Sequence, residues 1–267
     1  GRHKARWVVQ GFSEPRELDD ISNHSHVARL ESLRLITFKR GRRGRVLASV
    51  DVKTAFLQSE KYAQHEPARY IKYWDSISRQ WIYFRLLGPM YGQRSAPIRW
   101  ENTLFPWLIS VGFVQGKNDQ STFYHPLEDI TLIVYVDDLL ADGDEAAVRH
   151  FLDQLFKRFE CNDAVFLAQE TPIDFIGVII TLHEDQISLS MPEYHEKLLK
   201  NMGMLDCNPL GIPFSDQICS SELLDDSAAR HYREGVGGIG WLCCTVRPDL
   251  AYAFSRLGQH LAKPSVS

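Results

Sequence analysis

Leu132 to Asp144 reads "LIVYVDDLLADGD", and it sets two adjacent aspartates, Asp137 and Asp138, inside an apolar run. A carboxylate taken out of water is costly unless something compensates its charge, and two side by side cost more. A tight turn, a metal ion, or both would account for the pair. Aspartate tolerates turn geometry, which explains one of the two. A divalent metal explains both, because magnesium takes oxygen ligands, usually one or two carboxylates together with substrate phosphates. Such a site needs a further carboxylate from a neighbouring strand. Asp51 is the evident donor, since it ends the apolar stretch of "ASVDVKTAF" (48–56). Two strands that each end in aspartate would bring three carboxylates together. Two metals about 3.5–4 Å apart can then clamp the attacking and leaving oxygens of a phosphoryl displacement.

Working outward, "RVLASVDVKTAFL" (45–57) is predicted as a buried strand running into a turn or helix. "STFYHP" (121–126) and "ITLIVYV" (130–136) read as two strands, the second turning back at the Asp pair through "LLADG". "ARYIKYWD" (68–75) and "QWIYFRLL" (80–87) read as paired strands around a turn at Ser76 to Arg79. "SAPIRWENTLFPWLISVGF" (95–113) has Ser95 as N-cap and Pro97 near the first helical position, so a helix is predicted despite Pro106. "DEAAVRHFLDQLFKRFE" (144–160) carries acids at its start and cations near its end. Val148, Phe151, Leu152, Leu155, Phe156 and Phe159 lie on one face of that amphipathic helix. "FIGVIITLHEDQISLSM" (175–191) reads as strand, turn, strand, and "PEYHEKLLKNMG" (192–203) as a short helix. A polar linker from about Cys207 to Ser227 precedes a last helical stretch ending near Lys263. The fold class expected is α+β with a largely antiparallel sheet.

The 267 residues are 44% hydrophobic and 24% charged, a globular composition with no apolar run long enough for a membrane span. The basic start lacks the pattern of a signal peptide, and it opens as if in mid-strand, so a piece of a longer protein is expected. Cys161, Cys207, Cys219, Cys243 and Cys244 form no C-x-x-C pair; neither a disulfide framework nor a zinc site is signalled, and a reducing, intracellular setting is expected. A net charge of −4 argues mildly against a protein wholly devoted to nucleic acid, although "KRGRRGR" (39–45) and the cluster Arg2, Lys4, Arg6 are locally basic. Taken alone, both are solvated loops. "GVGGIG" (235–240) matches a dinucleotide fingerprint but follows polar "HYRE" rather than a strand, so that function is rejected. His24 and His26 lack companion residues at metal-ligand spacing, and no G-x-S-x-G or P-loop motif is present. Trp74, Trp81, Trp100 and Trp107 fall at strand and helix periods and read as core rather than as base-stacking platforms.

"YVDD" after an apolar strand, with "VDVKTAFLQSE" upstream, resembles the two catalytic motifs of reverse transcriptases, and more narrowly those of copia-type retrotransposons. "KARWVVQGF" is similar to that family's Lys-Ala-Arg-Leu-Val-x-x-Gly-Phe, and "MYGQRSAP" to its Leu-Tyr-Gly-Leu-Lys-Gln-Ala-Pro. "HVARLESLRLI" resembles a family helix, and "TVRPDLAYAFSRLGQHLAKPS" resembles the segment that follows the thumb. The resemblance implies a right-hand polymerase with partial fingers, an antiparallel-sheet palm and a helical thumb. Residues 1–190 would be fingers and palm, and 191–267 thumb and the start of the connection. It implies Asp51, Asp137 and Asp138 as the catalytic carboxylates, with the Val52 carbonyl completing the shell of Mg2+, or alternatively Mn2+. Phe56 would pack on the sugar of the incoming nucleotide, and Tyr91 and Gly92 would floor its pocket. Tyr135 and Val136 would lie under the primer end, Arg94 would serve primer and template, and Lys4 or Arg6 would hold the triphosphate.

The departures matter: Ser95 stands where Gln is usual, Trp7 replaces a Leu, and the family's fingers begin well before "KARWVV", so an incomplete fingers subdomain is expected. The expected partners are an RNA or DNA template with primer and deoxynucleoside triphosphates. No membrane is involved, the parent polyprotein carries integrase and RNase H domains, and the setting is a cytoplasmic particle or the nucleus. The competing expectation is a silent or domesticated remnant that only binds nucleic acid. A third, an unrelated magnesium-dependent phosphohydrolase, accounts for the aspartates but not for the other segments.

Overall fold

A computed structural model of the protein describes residues 7–14, 24–40, 44–184, 186–212 and 222–265. In chain order the elements are α1 (Leu30–Arg40), β1 (Arg45–Asp51), β2 (Arg69–Asp75), β3 (Gln80–Leu86), α2 (Ala96–Ser110), β4 (Val114–Gln115), β5 (Thr122–His125), β6 (Ile130–Tyr135) and β7 (Asp138–Asp144). There follow α3 (Glu145–Arg158), β8 (Val165–Phe166), β9 (Ile173–Phe175), β10 (Val178–His183), β11 (Gln186–Ser190), α4 (Pro192–Asn201), α5 (Asp226–Thr245) and α6 (Ala251–Gly258). The fold is α+β, as expected. Two compact units are present, Gly1–Ile176 with Leu182–Ile187, and Gly177–Thr181 with Ser188–Ser267.

The first unit is built on a six-stranded sheet in the order β4-β5-β6-β7-β1-β8, antiparallel at every pairing. Its register follows from the need to bury alternate residues. Ala48, Val50, Leu132, Val134, Leu139 and Ala141 pack on one face against Trp100, Leu104 and Leu108 of α2 and Val148, Phe151 and Leu155 of α3. Residues directly opposite in an antiparallel pair share a face. Leu47, Ser49 and Asp51 therefore stand with Asp142, Leu140 and Asp138 on the other face, where α1 packs at the β1 start with Leu33 and Ile36 buried. The carboxylate rung lies at the opposite end of that face.

Local chemistry places the boundaries. Asp144 caps α3 by accepting hydrogen bonds from the N–H groups of Ala146 (2.9 Å) and Ala147 (3.4 Å). Val148, Phe151, Leu152 and Leu155 are buried as expected, but Phe156 is 42% exposed, because the covered stripe is narrower than the apolar one. Ser95 occupies the N-cap position of α2 without a side-chain cap bond. The stretch from Phe175 is not one strand: Ile176 (φ 52°) and Gly177 (φ 79°) form a tight left-handed turn between β9 and β10.

In the second unit the glycines of "GVGGIG" lie inside α5, where Gly238 and Gly240 let neighbouring helices approach. A Cβ at Gly238 would stand 2.5 Å from Leu198 Cδ1 of α4, and one at Gly240 2.5 Å from Phe254 Cε2 of α6. α4 ends in a Schellman motif at Gly203 (φ 67°), with Met204 N–H donating to the Leu199 carbonyl at 2.8 Å.

Two expectations from charge and periodicity are corrected. Arg45, read as a solvated cation, is bound by Asp142 (2.6 Å) and Asp129 (2.6 Å), and Asp142 is wholly buried. Hydrogen bonding to Asp142 holds the Arg45 guanidinium above its ordinary pKa. Lys39 of the same basic run donates to Thr131 Oγ1 at 2.5 Å; residues 41–43 lie outside the described residues. Trp74 and Trp81, read as core, are exposed on the β2–β3 hairpin, whereas Trp100 is 2% exposed and Trp107 packs against the core. Among the described residues no helix is long and apolar enough to cross a membrane, and Cys161, Cys207, Cys243 and Cys244 form no disulfide.

Candidate active site

β6 and β7 form a hairpin in which Tyr135 faces Asp138, leaving Val136 and Asp137 as the turn. Val136 has φ 56°, a left-handed backbone that a β-branched residue enters only under strain. That positive φ falls at the first central position of the turn, where two-residue hairpin loops favour glycine. Two hydrogen bonds hold the turn in place. The indole N–H of buried Trp100 donates to the Val136 carbonyl at 2.6 Å, and the Val52 N–H donates to the Asp137 carbonyl at 2.8 Å. The second bond ties the turn to the end of β1.

The β1–β7 register sets Asp51 directly opposite Asp138, so Asp51, Asp138 and Tyr135 form one rung on one face of the sheet. Asp137 is next to them in the turn. Asp51 is itself fastened, its carbonyl accepting the Asn162 N–H at 2.8 Å and its Oδ2 accepting from the Asn162 side-chain amide. Burial, and then the charges of Asp137, Asp51 and Asp174, push Asp138 up to about 6. Burial and the negative charge of Asp51 push the nearby Cys161 thiol up to about 11. Burial is the larger cause of each shift and the neighbouring carboxylates add to it, with Lys53 partly offsetting it at Cys161.

That environment suits a divalent cation in charge and in oxygen donors. Among the described residues no group of three His, Cys, Asp or Glu side chains is already gathered to hold one. The carboxylates present would therefore be one part of a coordination shell, with water and substrate phosphate supplying the rest.

The other expected site residues fall as follows. Phe56 lies in a short 3-10 turn, Ala55–Gln58, just past β1; its ring is 5.1 Å from that of Tyr91 and its other side packs on the core. The Tyr91 carbonyl accepts the Val9 N–H at 2.8 Å. Gly92 (φ 88°) passes so close to that segment that a Cβ would stand 2.0 Å from the Val9 carbonyl oxygen. Arg94 turns back to this segment as well, donating to the Glu14 carbonyl at 2.7 Å. Lys4 and Arg6 lie outside the described residues. The structure thus gathers Asp51, Val52, Tyr135, Val136, Asp137 and Asp138 at one end of the sheet, and pairs Phe56 with Tyr91. Sequence reading missed Asn162, Asp174 and the Trp100 bond. "WENTL" and "ECNDA" carry no local sign of these partners, which lie 36 residues away for Trp100 and 111 for Asn162.

A protein-family model described as "Reverse transcriptase (RNA-dependent DNA polymerase)" matches residues 1–216. The chain is 31% identical over 275 residues to the "Retrovirus-related Pol polyprotein from transposon RE2" of Arabidopsis thaliana, covering 99% of this chain and 18% of that protein. It is 24% identical over 278 residues to the corresponding polyprotein from transposon TNT 1-94 of Nicotiana tabacum, covering 98% of this chain and 20% of that one. The chain thus spans about a fifth of those relatives' length. Among solved structures, apo telomerase from Candida tropicalis aligns with a TM-score of 0.45 at 11% identity, over 88% of this chain and 47% of that chain.

Proposed function

This chain belongs to the reverse transcriptase family, and from that premise we propose that the Asp51–Asp137–Asp138 end of the sheet is its nucleotidyl-transfer centre. The reaction is attack of a primer 3′-hydroxyl on the α-phosphate of a deoxynucleoside triphosphate. A phosphorus–oxygen bond forms to the primer, the bond to pyrophosphate breaks, and the hydroxyl gives up its proton. One observation carries the reading: the β1–β7 register sets Asp51 across from Asp138 with Asp137 beside it, where burial and the neighbouring carboxylates raise the Asp138 pKa to about 6.

Asp51, Asp137 and Asp138, with the Val52 carbonyl, would hold Mg2+ or Mn2+, which when bound neutralises phosphate charge and lowers the pKa of the attacking hydroxyl. The chain's own share is positioning. Trp100 and Val52 fix the turn that presents Asp137, and Asn162 fixes Asp51. Phe56 beside Tyr91 would bound the sugar of the incoming nucleotide, and Tyr91 with Gly92 would floor its pocket. Tyr135 and Val136 would lie under the primer end. Arg94 is anchored to Glu14, so its service to primer or template would be indirect. Either Lys4 or Arg6 would hold the triphosphate. Residues 1–190 are read as fingers and palm and 191–267 as thumb with the start of a connection. Template and primer, and a polyprotein context with integrase and RNase H, complete the proposal.

Extension of a labelled primer on a poly-A template, with Mg2+ and then Mn2+, tests it. Extension by the parent chain that disappears in Asp137→Asn supports the assignment. Binding of primer–template without extension under either metal favours the silent, nucleic-acid-binding remnant.

A further inference from the structure

The β2–β3 hairpin has two unlike faces. Its register pairs Arg69 with Leu86, Ile71 with Phe84 and Tyr73 with Ile82 on one face, and Tyr70 with Arg85, Lys72 with Tyr83 and Trp74 with Trp81 on the other. The first face is partly covered, with Arg69 buried but Tyr73 still 42% exposed and Phe84 44%. Trp7 stacks on Tyr73 (5.2 Å between ring centroids) and meets Phe84 edge-on (6.3 Å), and Arg69 is buried beside Glu66. The second face is open: Tyr70 is 62% exposed, Trp74 46%, Trp81 50% and Tyr83 66%.

An open face of four aromatic rings has to be explained by what it meets. These six residues include two cations, no carboxylate and no aliphatic side chain. Lys72 Nζ lies 4.9 Å from the centre of the Trp81 ring, and Trp74 meets Trp81 at 5.3 Å with the rings inclined by 63°. Rings interleaved with cations suit a polyanion that carries flat bases, since every base has a face to stack and every phosphate a charge to neutralise. Successive rungs are about 6.7 Å apart, so three rungs span about 13 Å, or about four stacked nucleotide steps. A second copy of the chain fits poorly, because it would set Lys72 and Arg85 against the same cations. In a chain of net charge −4, this local cationic face is where a polyanion would be tolerated.

We propose that the outward face of the β2–β3 hairpin, Tyr70, Lys72, Trp74, Trp81, Tyr83 and Arg85, is a stacking surface for unpaired nucleotides of a single strand. The inference deepens the polymerase reading by giving an unpaired stretch of template a place to rest, but its test does not depend on polymerase activity. Anisotropy of a labelled oligothymidine of about twelve residues is titrated with the full chain, across a series of salt concentrations. The parent chain should bind saturably and prefer the single strand to a blunt duplex. Trp74→Ala/Trp81→Ala should weaken single-strand binding by about tenfold or more. Lys72→Ala/Arg85→Ala should lower the slope of log affinity against log salt by about 1.4. Circular dichroism verifies folding of each variant, and Lys72→Glu/Arg85→Glu gives an independent reading should the tryptophan variant misfold.

Separate readouts distinguish the two proposals. The oligonucleotide titration requires no primer extension, so a failure of extension by the parent leaves this result standing. No saturable binding by the parent, equal affinity for duplex, or unchanged binding in the folded hairpin variants each overturns the inference. So does concentration-dependent self-association that those variants abolish, which would make the face a contact between copies.

Discussion

Asp138→Asn should make the protein more stable without metal at neutral pH, and the gain should vanish in acid. Asp138 is half-buried and faces Asp51 across the rung, with Asp137 adjacent, which raises its pKa to about 6 from 3.8. A carboxyl whose pKa is raised binds its proton more tightly folded than unfolded. Its ionisation therefore costs stability as pH rises from about 4 through about 6, and the cost stays constant above that window. About two units at about 1.4 kcal/mol each set an upper bound of about 3 kcal/mol. For a unit of this size that corresponds to a rise in melting temperature of about 5–10 °C. The assay is thermal or urea unfolding of parent and variant in chelator-treated buffer from pH 4 to pH 8. The gap should be near zero at pH 4, open up to pH 6 and hold level beyond. Added Mg2+ should narrow it from the parent's side, since the parent offers the ion three carboxylates and the variant two. A gap equal at pH 4 and pH 8, or a variant less stable at pH 8, would refute the electrostatic account of this site.

Asp137→Asn should keep the fold and lower primer extension by several orders of magnitude; extension at the parent rate would show the centre wrongly assigned. Trp100→Phe removes the donor to the Val136 carbonyl while keeping most of the ring volume. It should cost about 1–3 kcal/mol in urea unfolding, because a partly buried carbonyl loses its partner; a loss below about 0.5 kcal/mol would mean that water replaces the indole. Arg45→Met strands the wholly buried Asp142 carboxylate and should cost about 3–5 kcal/mol at pH 7. Adding Asp142→Leu should restore much of it, and failure of that rescue would rule out an unpaired charge as the cause. Phe56→Val should raise ribonucleotide use relative to deoxynucleotide use on one template, as removing a ring opens space for the 2′-hydroxyl; an unchanged ratio in a folded variant returns Phe56 to a packing role.

Much of the candidate site was legible before any coordinates. Asp51 and the Asp pair stand out because each ends or interrupts an apolar strand, and an uncompensated carboxylate there demands a reason. The hairpin strands, the capped helix after Asp144 and the glycine stop after α4 follow from alternation, caps and turn residues. All of these are local signals. Periodicity shows that an element has two faces; it does not show which face finds a cover. Trp74 and Trp81 alternate like core residues, yet the segment containing Trp7 packs on the opposite face of their hairpin and covers part of it. Arg45 looks like one cation of a solvated run, and only the approach of Asp142, 97 residues on, makes it structural.

The sequence by itself determined the α+β class, the strands that end in carboxylates and the membership of a polymerase family, because these rest on residue type and near-neighbour spacing. Tertiary structure alone decided the Asp51–Asp138 register, the Trp100 and Asn162 bonds that hold the turn and the rung, and which aromatics meet water. Such contacts join residues tens to a hundred positions apart, and their free energy exists only once the sheet has brought those positions together.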